Sequence, residues 1–420
     1  MYFDDPGLIE AIGVTFSILI IIFLIRKGWQ LYQALILAIM VLALTNNNSA
    51  GQDLHTFYSS ITSSTAFYLV SMVLAITMLG YLHQKIGAME ELVNNLKLLI
   101  RDPRALIMIF PAAISLFSTV PGGAIISAPM VEETGKGLKM PALEMAMSNM
   151  VYRHLVVLTY PFTAGIILAS GITGISIAQY LSFTIPVVAI VFIIATLYLL
   201  NRYPRPDKNN ENQNENNSVR EALKRLVVAS SPYLLAIILG LAFGIYFPLA
   251  LLAGILVALF INQPPGSKLN IIQERLTTLF QGLNWSLALS ILSIVVYKDF
   301  MMEADSIQQA TYYLLGHGVP LIVIVVALPF LTGFITGNNA ASLGITLPVL
   351  MPLLGPEMLT VRYFGIVYVS SYAGYLGSPV HLCTYVTNDY FKTHLYSLIK
   401  QVNIFGAITL LVGLAISIFY

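Results

Sequence analysis

The chain has 420 residues, 57% hydrophobic and 10% charged, with a formal net charge of +1. Soluble domains average about 25% charged residues, so this composition, with a mean hydropathy of +0.80, describes a polytopic membrane protein. It excludes a nucleic-acid binder, because no dense basic cluster exists. A single cysteine, Cys383, excludes an internal disulfide framework and a cysteine-rich metal site.

The amino-terminal MYFDDPGLIE is acidic and has no basic n-region, so the first apolar segment reads as an uncleaved anchor rather than a cleavable signal. Apolar segments follow at about 8–25, 30–44, 64–82, 142–170 and 176–200. Between them, 105–131 is too short and too broken to span, with its break at Ser118-Thr119-Val120-Pro121-Gly122-Gly123. It predicts a re-entrant hairpin of two short helices. A polar linker, 201–225, contains DKNNENQNENNS and divides the chain. The second half offers apolar segments at about 227–244, 248–261, 278–297, 363–390 and 396–420, and a second broken stretch, 319–354, whose tip is Thr336-Gly337-Asn338-Asn339.

The halves share one pattern at an offset near 216–218 residues. Pro111 and Pro329 open the two tips. Tyr160-Pro161 and Ser378-Pro379 break the spans that follow. Amphipathic pieces are predicted at Met89–Ile100 and Ile307–Leu315. Each half, 1–200 and 226–420, therefore reads as five crossings plus a hairpin, and an odd number of crossings inverts the second half. Charge sets the orientation. With the amino terminus outside, cytoplasmic loops and the linker hold 18 of the 21 Lys and Arg; outside loops hold Lys298 and Arg362. Positive charge stays on the cytoplasmic side, so both termini are expected outside and the linker in the cytoplasm.

Arg153, the remaining cation, lies about twelve residues into an apolar stretch. At about 1.5 Å per residue that is roughly 18 Å deep, near the middle of a bilayer core of about 30 Å. Such a cation costs a few kcal/mol and commonly faces a cavity or a partner. Two readings stand: an anion site, or a structural pair with Glu144 or a backbone carbonyl. Broken helices in two halves point to a carrier's binding site. The candidate substrate ligands are Ser118, Thr119, Gly122 and Gly123 at the first tip and Thr336, Asn338, Asn339 and Ser342 at the second. Asn149, Arg153, Thr163, Ser378 and Thr384 line the broken spans. His154 and His381 are candidates for H⁺ or Na⁺ coupling, and Cys383 reads as packing. No other metal ligand set or cofactor is expected: the six histidines show no H-E-x-x-H and no closely spaced pair.

The stretches STVPGGAIISAP and GYLGSPVHLCTYVTNDYF resemble a prokaryotic integral-membrane family, domain of unknown function 401, itself similar to the ion-transporter superfamily of organic-anion carriers. The resemblance covers nearly the whole chain. It implies scaffold and transport domains, a homodimer and elevator-like alternating access. The Ser-Asn-Thr tip signatures of Na⁺-coupled dicarboxylate carriers are absent. The function expected is secondary active transport of a small carboxylate-like anion across the plasma membrane, driven by H⁺ or Na⁺. The alternative is an anion channel or lipid-head-group translocator on the same fold. An enzyme is disfavoured, since no nucleophile–base pair is visible.

Overall fold

The computed structural model describes residues 6–46, 48–117, 122–204, 216–261, 267–304, 316–354 and 360–420. Among these no strand occurs. The helices of the first half are α1 (Pro6–Arg26), α2 (Leu31–Thr45), α3 (Ala50–Ile61), α4 (Ser64–Lys85), α5 (Ala88–Leu99), α6 (Pro103–Phe117), α7 (Gly122–Gly137), α8 (Ala142–Thr159), α9 (Ala164–Thr173) and α10 (Ile177–Arg202). The second half continues with α11 (Asn216–Ile237), which runs into a π-turn at Ile238–Ala242, then α12 (Phe247–Ala258), α13 (Lys268–Gln281) and α14 (Trp285–Met302). It ends with α15 (Leu321–Thr336), α16 (Asn339–Leu353), α17 (Val361–Leu376), α18 (Leu382–Phe391) and α19 (Leu395–Ile416).

Among the described residues seven segments are long and apolar enough to cross a membrane: Ile9–Arg26, Ser64–Lys85, Ala142–Thr173, Ile177–Arg202, Val219–Ala242, Trp285–Met302 and Leu395–Phe419. The protein is a multi-pass membrane protein. The segments expected at 30–44 and 248–261 form α2 and α12, of 15 and 12 residues. At about 1.5 Å per residue they reach only about 22 and 18 Å.

Several expected boundaries move. The stretch 278–297 is not one helix. Gly282 ends α13, and Asn284 opens α14 by accepting the Leu287 amide at 3.0 Å. The expected loop 262–276 is helical from Lys268. The linker is shorter at both ends, since α10 reaches Arg202 and α11 begins at Asn216. The reason is local: Val219–Arg225 reads VREALKR, all but its first residue good helix formers, and extends the apolar helix behind it. Residues 205–215 of the linker and the piece Ile307–Leu315 lie outside the described residues.

α5 shows why a short helix forms beside the long ones. Its buried Ala88, Met89, Leu92, Val93 and Leu96 recur at three and four residues, which is one face of a 3.6-residue helix. That face packs on α11 and α6.

Packing runs in corresponding pairs. α6 packs on α8, and α15 on α17. α7 meets α18, and α16 meets α9. α8 contacts α19, and α17 contacts α10. α2 packs on α14, and α4 on α12. The tightest is α15 against α17. A Cβ on Gly374 would lie 2.0 Å from the Phe330 carbonyl oxygen, and one on Gly333 would lie 2.5 Å from that of Ser371. Only glycine permits backbones this close.

Candidate functional site

The two breaks are built differently. α8 ends at Thr159 because Pro161, lacking an N–H, cannot continue it. Tyr160 and Phe162 are 2% and 1% exposed, and Thr163 restarts the chain as the N-cap of α9, accepting the Ile166 amide. α17 ends at Leu376, and Ser378 turns its hydroxyl onto the Phe334 carbonyl of α15 at 2.6 Å. His381 is the N-cap position of α18. Thr163 and His381 therefore hold the same place after each break.

The second tip docks on the second break. Gly337 ends α15 with φ +60°, and a Cβ there would also lie 2.9 Å from the His381 amide nitrogen. Its carbonyl oxygen accepts from His381 Nδ1 at 3.2 Å. Asn338 caps α16, its Oδ1 accepting the Ala341 amide at 3.1 Å. Thr336 stays in the backbone turn, donating to Thr332 O at 2.7 Å. Ser342 ties the limbs together through Thr332 Oγ1 at 2.9 Å and Pro329 O at 3.0 Å. Asn339 reaches farther. It accepts from Ser371 Oγ at 2.6 Å, and its Nδ2 would lie only 2.7 Å from a Cβ on Gly165, so it wedges between α17 and α9.

At the first tip Ser118 and Thr119 lie outside the described residues. Gly122 opens α7. Asn149 of α8 holds the start of that helix: its Oδ1 accepts from Ser127 Oγ at 2.6 Å, its Nδ2 donates to Ala124 O at 3.4 Å, and Ser127 Oγ also lies 2.9 Å from Gly123 O. Thr163 stands apart, beside Tyr368 Oη at 3.4 Å. Thr384 is fully buried, and its hydroxyl finds no hydrogen-bond partner among the described residues.

Arg153 is 4% exposed in the middle of α8. Glu144 is not its counter-ion. The two are nine residues and about 13 Å apart along one helix, and Glu144 is taken by Arg202 Nε at 2.7 Å and by the Tyr203 hydroxyl. Arg153 lies instead within electrostatic reach of Cys383 and Tyr375.

Beside it three donors converge. His154 Nε2 is 3.0 Å from His381 Nε2, and these atoms and Cys383 Sγ all lie within 4.8 Å of one another. The Tyr375 ring stands edge-on to His381, centroids 4.7 Å apart. The sequence reading took Cys383 as a packing residue and did not single out Tyr375. Only His381 and Cys383, two residues apart, were visible as neighbours; the 227 residues between His154 and His381 are closed by the packing of α8 on α18.

Comparison with solved structures finds the Alcanivorax borkumensis YdaH transporter, whose crystal structure is described as having an unusual topology. The two share 14% identity at a TM-score of 0.62 over 95% of this chain and 98% of that one, a likeness of fold. No curated protein matches the chain. Residues 9–419 match the model of the DUF401 family, described as proteins of unknown function, and the chain belongs to that family.

Proposed function

We propose that the protein is a secondary active carrier of a small carboxylate-like anion, working by alternating access between two inverted halves. The observation that carries this reading is Arg153, a buried guanidinium in the middle of α8, the helix that packs on α18 just after the second break. A guanidinium presents paired donors that fit a carboxylate or phosphate. The corresponding packing pairs, above all α7 on α18 with α16 on α9, support the inverted-repeat reading. They bring each hairpin against the broken span of the other half, an interlocked unit whose movement past the remaining helices would expose the site to one side at a time. The likeness in fold to the YdaH transporter supports transport in general.

In this reading α6–α7 and α15–α16 are re-entrant hairpins entering from opposite faces, and the non-helical backbone at Gly337 of the second tip is tolerated because it docks on the second break. The carrier is an elevator-type homodimer in the plasma membrane, termini outside and linker cytoplasmic, driven by H⁺ or Na⁺. Asn339, Asn149, Ser342 and Ser378 hold the tips and breaks in place, while Arg153 binds the substrate's charge.

The test is counterflow. Purified protein in proteoliposomes loaded with one unlabelled carboxylate at a time is given the labelled form outside. Saturable accumulation in exchange for the internal anion is the expected result. Conductance without saturation would make it a channel instead.

A further inference from the structure

The unexplained feature of the core is two imidazoles pointing the same kind of atom at each other. His154 Nδ1 lies 2.7 Å from Met150 O, and His381 Nδ1 lies 3.2 Å from Gly337 O. A carbonyl oxygen only accepts, so each Nδ1 carries the ring proton. Each Nε2 then presents a lone pair, and the two lone pairs face one another across 3.0 Å. That contact is repulsive unless both share an electrophile.

A bridging proton would satisfy two nitrogens. Here a third donor is in place: Cys383 Sγ is within 4.8 Å of both, and all three side chains are buried. Three convergent donors suit a metal ion. Zinc binds His nitrogen at about 2.0–2.1 Å and Cys sulfur at about 2.3 Å, tetrahedrally, which sets two ligand nitrogens roughly 3–3.5 Å apart. Both rings also carry the outer-shell bond of metal-binding histidines, the far N–H on a backbone carbonyl, which fixes ring and tautomer.

We propose that His154, His381 and Cys383 form a three-donor site for a borderline-soft divalent cation of the zinc class, joining α8 to the break between α17 and α18. The donor set selects this class. Two imidazoles and a sulfur, with no carboxylate, do not suit Mg²⁺, Ca²⁺ or Na⁺, which want oxygen. The neighbouring Arg153 opposes a cation, and the cysteine offsets this, because a metal-bound cysteine is a thiolate and cancels one of the two charges. Three protein ligands leave a fourth position open.

The site ties the first half of the chain to the second. If transport as read above loosens α8 from the break between α17 and α18, an ion here pins the state described and arrests transport. That consequence rests on the carrier reading; the binding itself does not.

The test uses the purified full-length protein with Co²⁺ as a spectroscopic probe. The chain has one cysteine, so a sulfur-to-cobalt charge-transfer band in the near ultraviolet reports Cys383 without any mutation. The expected result is that band, saturating at one Co²⁺ per chain, with intense visible bands of four-coordinate cobalt, all abolished by Zn²⁺. In Cys383→Ser the band disappears, and Zn²⁺ affinity falls by more than the roughly 10–100-fold that a lost outer-shell partner costs. Absence of the band in the native protein overturns the proposal, whatever the variants do. So does a Zn²⁺-induced rise in thermal stability that is equal in the native protein and Cys383→Ser. A cobalt band in a protein that transports no anion even when freed of metal would leave this site standing and remove the carrier reading instead.

Discussion

The two broken spans, α8–α9 and α17–α18, start from the same device, a proline that stops a helix inside the protein, and use it in opposite ways. The first break is sealed. Tyr160, Phe162 and Thr163 are buried, and the restart at α9 is capped by its own threonine. The polar atoms of this span sit one to three turns earlier, at Arg153, His154 and Asn149. The second break is half open, with Val380 48% exposed, and its polar atoms are at the break itself, turned onto the second hairpin through Ser378 and His381. A matched pair of breaks thus supplies two different things. One span holds a charge in a rigid frame; the other holds a hairpin tip by two hydrogen bonds that can be released.

That contrast is sharpest at Arg153. Arg153→Gln is expected to abolish uptake while the protein stays folded, and Arg153→Lys to transport with weaker affinity, since the charge survives and the planar fork does not. Uptake and thermal stability measured on the same purified variants decide it. A folded Arg153→Gln protein with native uptake kinetics would remove the charge from the comparison. Glu144→Gln separates the two roles. It should leave the substrate affinity alone and cost about 1–3 kcal/mol of stability, through the lost bonds to Arg202 and Tyr203.

The second break is tested through its glycines. Gly374→Ala should force α17 off α15, because its Cβ would overlap the Phe330 carbonyl, at a cost on the order of 1–3 kcal/mol. No counterpart exists in α8, which contains no glycine. Gly337→Ala strains a φ of +60° and crowds the His381 amide, costing on the order of 1–3 kcal/mol. It should raise hydrogen exchange at the second tip while leaving α8 protected. Equal exposure of both would show that the breaks are not independent.

The smallest expected effect is at Asn338. Loss of the cap in Asn338→Ala costs about 1 kcal/mol and should weaken uptake with little change in expression. Unchanged uptake would mean that the α16 cap plays no part in holding the tip for transport.

Much of this was legible in the sequence, for physical reasons. Prolines 161 and 379 removed amide protons that no neighbour could replace, so the breaks were fixed locally. Gly337 stood in a break between two short apolar stretches, and Met89–Ile100 read as an amphipathic piece. Arg153 stood out because an apolar run makes any charge expensive. Boundaries at α11 and between α13 and α14 were not legible, since hydropathy cannot separate a helix from the charged turn that extends it, nor see a cap such as Asn284.

The sequence by itself therefore determined a membrane protein of broken helices with a deep cation. Three matters were left to the tertiary structure. Glu144 is the partner of Arg202 and Tyr203 because α10 returns beside α8. Asn339 fills the space beside Gly165 because the α15–α16 hairpin packs across onto the other half. Cys383, read as a packing residue, joins His154 because α18 lies on α8. Each depends on contacts between residues tens to hundreds of positions apart, and no local propensity encodes which distant helix a given face will meet.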